Sequence, residues 1–157
     1  MKKIFLVFSF VLLIFSISAF AQKKENKKVT IDVILERDAK HNLNVAWQYF
    51  KLRKAYKAVL YRTDEIIAAH PTFTKIDEVF YLHGMSSYYL ANGKGKQKLE
   101  LDKLSKEDQE RFSKETLNED SAVYLKMLVE EHPKSKYVKK AKKILKKINP
   151  PKKKQDN

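Results

Sequence analysis

The sequence predicts an all-α fold made of antiparallel helix pairs. Only three glycines and four prolines occur in 157 residues, which favours helices joined by short connections. A helix-stop-helix pattern also occurs twice, each time with a His-Pro at the stop (His70-Pro71 and His132-Pro133). The apolar positions of the following helices match at an offset of 62: Ile76, Val79 and Leu82, then Val138, Ala141 and Ile144. Repeated helix pairs are typical of scaffolds that present a binding surface.

The first 21 residues have the pattern of a secretory signal peptide. Lys2 and Lys3 precede an apolar stretch, and Ala19-Phe20-Ala21 is a small-x-small cleavage pattern. We predict cleavage after Ala21. The alternative is an uncleaved membrane anchor, because the apolar stretch approaches the ~18–20 residues that span a bilayer.

The chain contains no cysteine. Disulfides, thiolate metal sites and cysteine nucleophiles are therefore excluded, and so is the lipid-bearing cysteine that follows a lipoprotein leader. We expect a periplasmic or other cell-envelope protein that is exported by a cleaved leader and is not lipid-anchored. Residues 31–149 are the size of one helical domain, after a flexible lead-in at 22–30 and before a disordered basic tail at 150–157.

The formal net charge of +14 is concentrated at one end of the chain. Eleven lysines and no acidic residue lie within residues 134–154, whereas residues 22–132 carry 20 basic and 18 acidic groups. The basic character therefore belongs to the C-terminal segment and not to the whole domain.

The helices follow in order along the chain. A first helix is expected from Asp32 to Arg53 and a second from Ala55 to Ala69, with a break near Arg53-Lys54, although one long helix is possible. The third starts near Thr74 and ends at Asn92-Gly93. Gly84, in its middle, predicts the close approach of another helix.

The second half begins with an insertion at 93–117, a loop followed by a short helix that Ser105 and Asp108 cap. Thr116 or Asn118 is expected to start the next helix, which ends at His132. Ser135 is expected to cap the last helix, which ends near Asn149.

The sequence offers no catalytic or cofactor site. The four histidines lack the spacing of a helical zinc site, and adjacent acids point to different sides of a helix. No glycine loop has the spacing of a phosphate-binding loop. We therefore expect no enzyme, no metal and no cofactor.

Two sets of residues are candidates for binding. Tyrosines on the predicted outer faces are candidates for a protein-binding groove, since exposed tyrosine is favoured in interfaces: Tyr49, Tyr61 and Tyr81. Lysines of the last helix are candidates for contact with an anionic lipid or polymer, although a helix that caps a repeat array is the favoured interpretation: Lys136, Lys139, Lys140, Lys143 and Lys147. Nucleic acid is not expected, because arginines and interleaved aromatics are lacking there.

Two segments resemble the tetratricopeptide-like repeats of BamD-type outer-membrane assembly factors. Residues 46–58 (AWQYFKLRKAYKA) are followed by Arg62 and a helix that ends in His-Pro, then by Asp77-Glu78-Val79 and a Leu-x-Gly. Residues 122–137 (AVYLKMLVEEHPKSKY) are similar to the junction that recurs in that family, with His where the family has Tyr before proline.

The resemblance implies a periplasmic helical scaffold that helps to assemble β-barrel proteins by contacting the assembly machinery or its substrates. This chain has room for about two helix pairs and lacks the lipid-bearing cysteine, so it resembles a shortened relative. The alternative is an envelope-surface binding protein that uses the lysine-rich last helix.

Overall fold

The computed structural model describes residues 33–149, and the predicted leader, lead-in and tail lie outside them. The chain divides into two units, residues 1–38 and 39–157. The described part of the first unit, 33–38, is helical. Within the second unit, a helix over 39–48 (α1) and five further α-helices are described: α2 Tyr56–Ala69, α3 Ile76–Ala91, α4 Lys106–Arg111, α5 Lys114–Glu131 and α6 Val138–Ile148. Residues 33–149 contain no β-strand, which confirms the predicted fold class.

The predicted break between the first two helices is confirmed. The α1 helix passes into a π-helix, Tyr49–Arg53, and ends at Lys54, which has a left-handed backbone with φ of 49°. A non-glycine residue rarely adopts this conformation, and α-helical hydrogen bonding stops there. The amide of Lys54 donates instead to the carbonyl of Tyr49.

The two His-Pro junctions have the same backbone structure, which confirms the repeat. His70 caps α2 with φ −137° and ψ 57°, and His132 caps α5 with φ −125° and ψ 57°. The amide of Phe73 donates to His70 and the amide of Ser135 donates to His132, at 3.0 and 2.9 Å. Each proline therefore ends one helix and starts a short turn into its antiparallel partner.

The matched positions of the two helix pairs are buried, as the offset predicts. Ile66 and Leu128 are both fully buried before the junctions, and Val79 and Ala141 are both fully buried after them. The α3 helix packs against α2 and α5, and α6 packs mainly against α5. The core thus runs between the two helix pairs, as in a repeat array.

Gly84 lies at a close contact between α3 and α5, as the sequence predicted. A Cβ atom at this glycine would lie 2.6 Å from the Cγ atom of Leu125 and 3.2 Å from the carbonyl oxygen of Ser121. Only hydrogen fits at that contact.

The insertion differs from its prediction at the C-terminal end. Ser105 caps α4 as expected, accepting a hydrogen bond from the amide of Asp108. The α5 helix, however, starts at Lys114 and not at Thr116, because the hydroxyl of Ser113 accepts a hydrogen bond from the Thr116 amide at 3.1 Å. The insertion therefore ends at 113.

Candidate protein-binding surface

Tyr49 is half-buried on the π-helix. The guanidinium of Arg53 lies 6.0 Å from the centre of its ring, and Leu52 beside it is 72% exposed. A tyrosine, an arginine and an exposed leucine in one turn have the composition of an interaction surface.

Tyr61 lies on the outer side of α2 and is exposed, as predicted. The guanidinium of Arg111 lies 4.8 Å from its ring centre, and the Lys57 ammonium lies 5.7 Å from it. The ring edge meets Phe112, which is buried. Tyr61 is thus an exposed aromatic ring held in place by two cations.

The placement of Tyr81 on an outer face was wrong. Its side chain is 5% exposed and stacks on Tyr137 of the last junction, with the ring centres 4.3 Å apart. Burial raises the pKa of its hydroxyl to about 12. Tyr81 is a core residue because α3 is covered on both sides. The prediction assumed that only one side of this helix is buried.

An open groove in the described part of the chain has a volume of about 760 Å³. It lies between the C-terminal ends of α3 and α6 and the N-terminal half of α5. Val123, which lines it, is 52% exposed, whereas Leu125 and Leu128 of the same helix are fully buried. Glu115 and Glu119 of α5 line the groove, and so does Lys147 of α6.

This groove was not predicted from the sequence. Val123 lies among the apolar residues of α5, but Ser121, Leu125 and Leu128 are on its buried side. The spacing of Glu115, Glu119 and Val123 places them on one other side of α5, and that spacing was the available signal.

A partly buried polar cluster holds the insertion against the repeat. Arg111 of α4 pairs with Asp64 of α2, and the Nδ1 atom of His83 lies 3.0 Å from the Thr63 hydroxyl and 3.4 Å from Asp64. The Tyr124 ring lies against the imidazole, with centres 3.9 Å apart. These side chains connect α2, α3, α4 and α5.

The cluster keeps His83 neutral. Burial, aided by the positive charge of Arg111, lowers the pKa of His83 to about 3. Burial raises the pKa values of Asp64 and Asp120, against the effect of Arg111. The Thr63 hydroxyl lies 2.9 Å from the Leu60 carbonyl and donates to it, so its oxygen accepts from Nδ1–H of the neutral imidazole.

The candidate lysines of α6 and the junction before it are all exposed: Lys136, Lys139, Lys140, Lys143 and Lys147. The apolar side of α6 is used for packing, since Ala141 and Ile144 are buried against the core. The lysines thus remain available to a partner, while the apolar side is not free to enter a bilayer.

Residues 33–149 contain neither a helix that could cross a membrane nor a metal-binding cluster. No helix in that range is both long and apolar enough to cross a membrane. No group of three acidic or histidine side chains in the same range is arranged to hold a metal ion.

The helix pairs and the open groove define a helical-repeat scaffold protein. The family model of outer membrane lipoproteins named YfiO matches residues 36–151, which is most of the chain. The chain therefore belongs to this family, whose fold is tetratricopeptide-like and all-helical. No curated protein and no solved structure shows significant similarity to the chain.

Proposed function

We propose that the protein is a periplasmic scaffold for outer-membrane protein assembly, of the BamD type. The family match over 36–151 carries this proposal, since it covers both helix pairs and the insertion. The scaffold acts by holding protein partners, either the assembly machinery or its substrates, and performs no chemistry itself.

We place one docking site of that scaffold in the groove of about 760 Å³ beside Val123. An exposed apolar floor with charged edges suits a peptide segment with an apolar anchor. Val123 provides the apolar contact, and Glu115 with Glu119 selects for a basic residue beside that anchor.

Photo-crosslinking from the groove tests the site. A photoreactive amino acid at Val123 should yield crosslinks to assembly components in envelope extracts. The same amino acid at Lys126, which is exposed on the same helix and does not line the groove, is the matched control. Equal crosslinking from both positions would mean that the groove is not the docking site.

Affinity purification tests the function as a whole. The tagged chain should recover outer-membrane assembly proteins from cells under mild detergent. Recovery of none of them, with the tagged chain intact, would overturn the proposal.

Export remains a prediction from the leader. The sequence of the mature N-terminus should begin at Gln22, after Ala21. A mature protein that still begins at Met1 would instead favour the retained membrane anchor.

A second candidate function is contact between the lysine side of α6 and an anionic envelope surface. Its support is that the five candidate lysines are exposed while the apolar side is packed. Changing Lys139, Lys140 and Lys143 to glutamine should reduce sedimentation with anionic vesicles at low salt. Unchanged sedimentation would dismiss this function.

A further inference from the structure

A second pocket, of about 400 Å³, lies where the loop after α3 passes in front of α3 and α5. Its apolar lining comes from the end of α3, the loop, the residue after α4 and the first turn of α5: Leu90, Ala91, Leu99, Phe112 and Leu117. Phe112 and Leu117 are each 1% exposed, so both belong to the buried core beneath the pocket. Leu101 at the edge is 36% exposed.

The edge of this pocket is positive. Lys94, Lys98 and Lys114 line it, and no acidic residue does. All three are exposed, and none has an ion-pair partner within the described residues.

The adjoining pocket differs in this respect. Lys57 there lies 4.0 Å from Asp108, and Lys103 is paired with Glu100 at 2.7 Å. Lys98 lines both pockets, but the adjoining one also contains Glu100, whereas the pocket after α3 combines three unpaired lysines with no acidic residue.

Three amides at the start of the loop are already used in hydrogen bonds within the chain. The amide of Gly93 donates to Leu90, that of Lys94 to Tyr89, and that of Lys96 to Lys54. An extended peptide needs such groups to satisfy its own amides and carbonyls. An acyl chain needs none, and it gains from every methylene group that it buries.

We propose that this pocket binds an anionic lipid, with the acyl chain on the apolar lining and the negative head group between Lys94, Lys98 and Lys114. The site is separate from the groove beside Val123 and from the lysines of α6. Its test is therefore independent of the test of the assembly function.

Titration with short-chain lipids below their micelle concentration tests the proposal. Dihexanoyl phosphatidylglycerol is the anionic probe, dihexanoyl phosphatidylcholine the neutral one, and glycerol phosphate the head group without a chain. A hexaglutamate peptide represents the acidic polypeptide. Amide shifts of Gly93 and Gly95, recorded by NMR on the purified chain, report the location.

Wild-type protein should bind the anionic lipid at least about tenfold more tightly than the three other probes. The triple variant Lys94→Gln, Lys98→Gln, Lys114→Gln should lose that preference. The matched variant Lys139→Gln, Lys140→Gln, Lys143→Gln removes the same charge from α6 and should keep it. Leu101→Gln should weaken the lipid and leave glycerol phosphate unchanged.

Each opposite result overturns the proposal. Equal affinity for the neutral lipid would mean that the lysines do not select the head group. Equal affinity for glycerol phosphate or hexaglutamate would mean a simple anion or polypeptide site. Loss of preference in the α6 variant, or retention in the pocket variant, would place binding elsewhere.

Discussion

The two helix pairs share one junction and differ in how they are buried. Both His-Pro stops have nearly the same backbone angles and the same turn hydrogen bonds. Yet α3 has eleven buried residues out of 16, whereas α6 has two out of 11. The local sequence therefore sets the junction, and the position in the array sets how much of each helix is covered.

The residues at matching positions follow this difference. At the offset of 62, Tyr81 corresponds to Lys143, and His83 corresponds to Leu145. The α3 helix lies between neighbours, so its second side carries side chains that pack or pair. The α6 helix is the last described helix, and its second side carries lysine.

The largest expected effect tests the buried positions that the two helix pairs share. Ile66→Ala and Leu128→Ala remove fully buried side chains at matching positions, and each should lower the free energy of unfolding by about 3 kcal/mol. Urea unfolding measures it. Val123→Ala, at an exposed position, is the control and should cost less than about 0.5 kcal/mol. If either core variant loses as little stability as this control, the two helix pairs are not equivalent in their packing.

The next effect is a pH dependence of stability that comes from His83, which the second helix pair replaces by Leu145. Unfolded His83 binds a proton near pH 6.5 and folded His83 only near pH 3, so the unfolded state holds more protons between these values. The free energy of unfolding should therefore fall as the pH drops below 6.5, by up to about 1.4 kcal/mol per pH unit.

Two variants isolate this contribution, because the raised pKa values of Asp64 and Asp120 act in the opposite direction. His83→Gln and His83→Leu, the latter matching Leu145, should both be less sensitive to acid than wild type, whatever their stability at neutral pH. A slope identical to that of the wild type would show that His83 is not kept neutral.

A smaller effect concerns the close contact between α3 and α5. Gly84→Ala improves helix propensity by about 1 kcal/mol but places a Cβ atom 2.6 Å from Leu125, which is fully buried and has no free space. We expect a net loss of about 1 kcal/mol by urea unfolding.

The matching position in the second unit is Lys146, which is exposed. Lys146→Ala should change stability by less than about 0.5 kcal/mol. A stabilised Gly84→Ala protein would contradict the close packing of α3 on α5.

The smallest effect concerns the lysine side of α6. Lys143 is exposed and has no ion-pair partner within the described residues, so Lys143→Gln should change the free energy of unfolding by less than about 0.5 kcal/mol. Thermal unfolding in low and high salt measures it. A large loss would mean that the lysine side of α6 is packed, as α3 is.

Much of the fold was predictable because its signals are local. The break at Arg53-Lys54, the cap at Ser105 and the two proline stops each follow from residues within one or two turns. Gly84 was predictable as a contact site because a glycine kept in mid-helix has few other uses.

The errors concern contacts between distant segments. Tyr81 was placed outside because the pattern of α3 does not show that Tyr137 covers it. The groove beside Val123 was missed because its walls come from three helices.

The sequence by itself determined the all-α fold, the repeated His-Pro junction and the location of the positive charge. Helix periodicity, proline geometry and composition act over short distances along the chain, and so they can be recognised without a structure. The tertiary structure alone decided which aromatic rings are exposed, that Arg111 and His83 meet, and that two pockets differ in charge. These features depend on the packing of residues far apart in sequence, since a side chain is covered only by what folds against it.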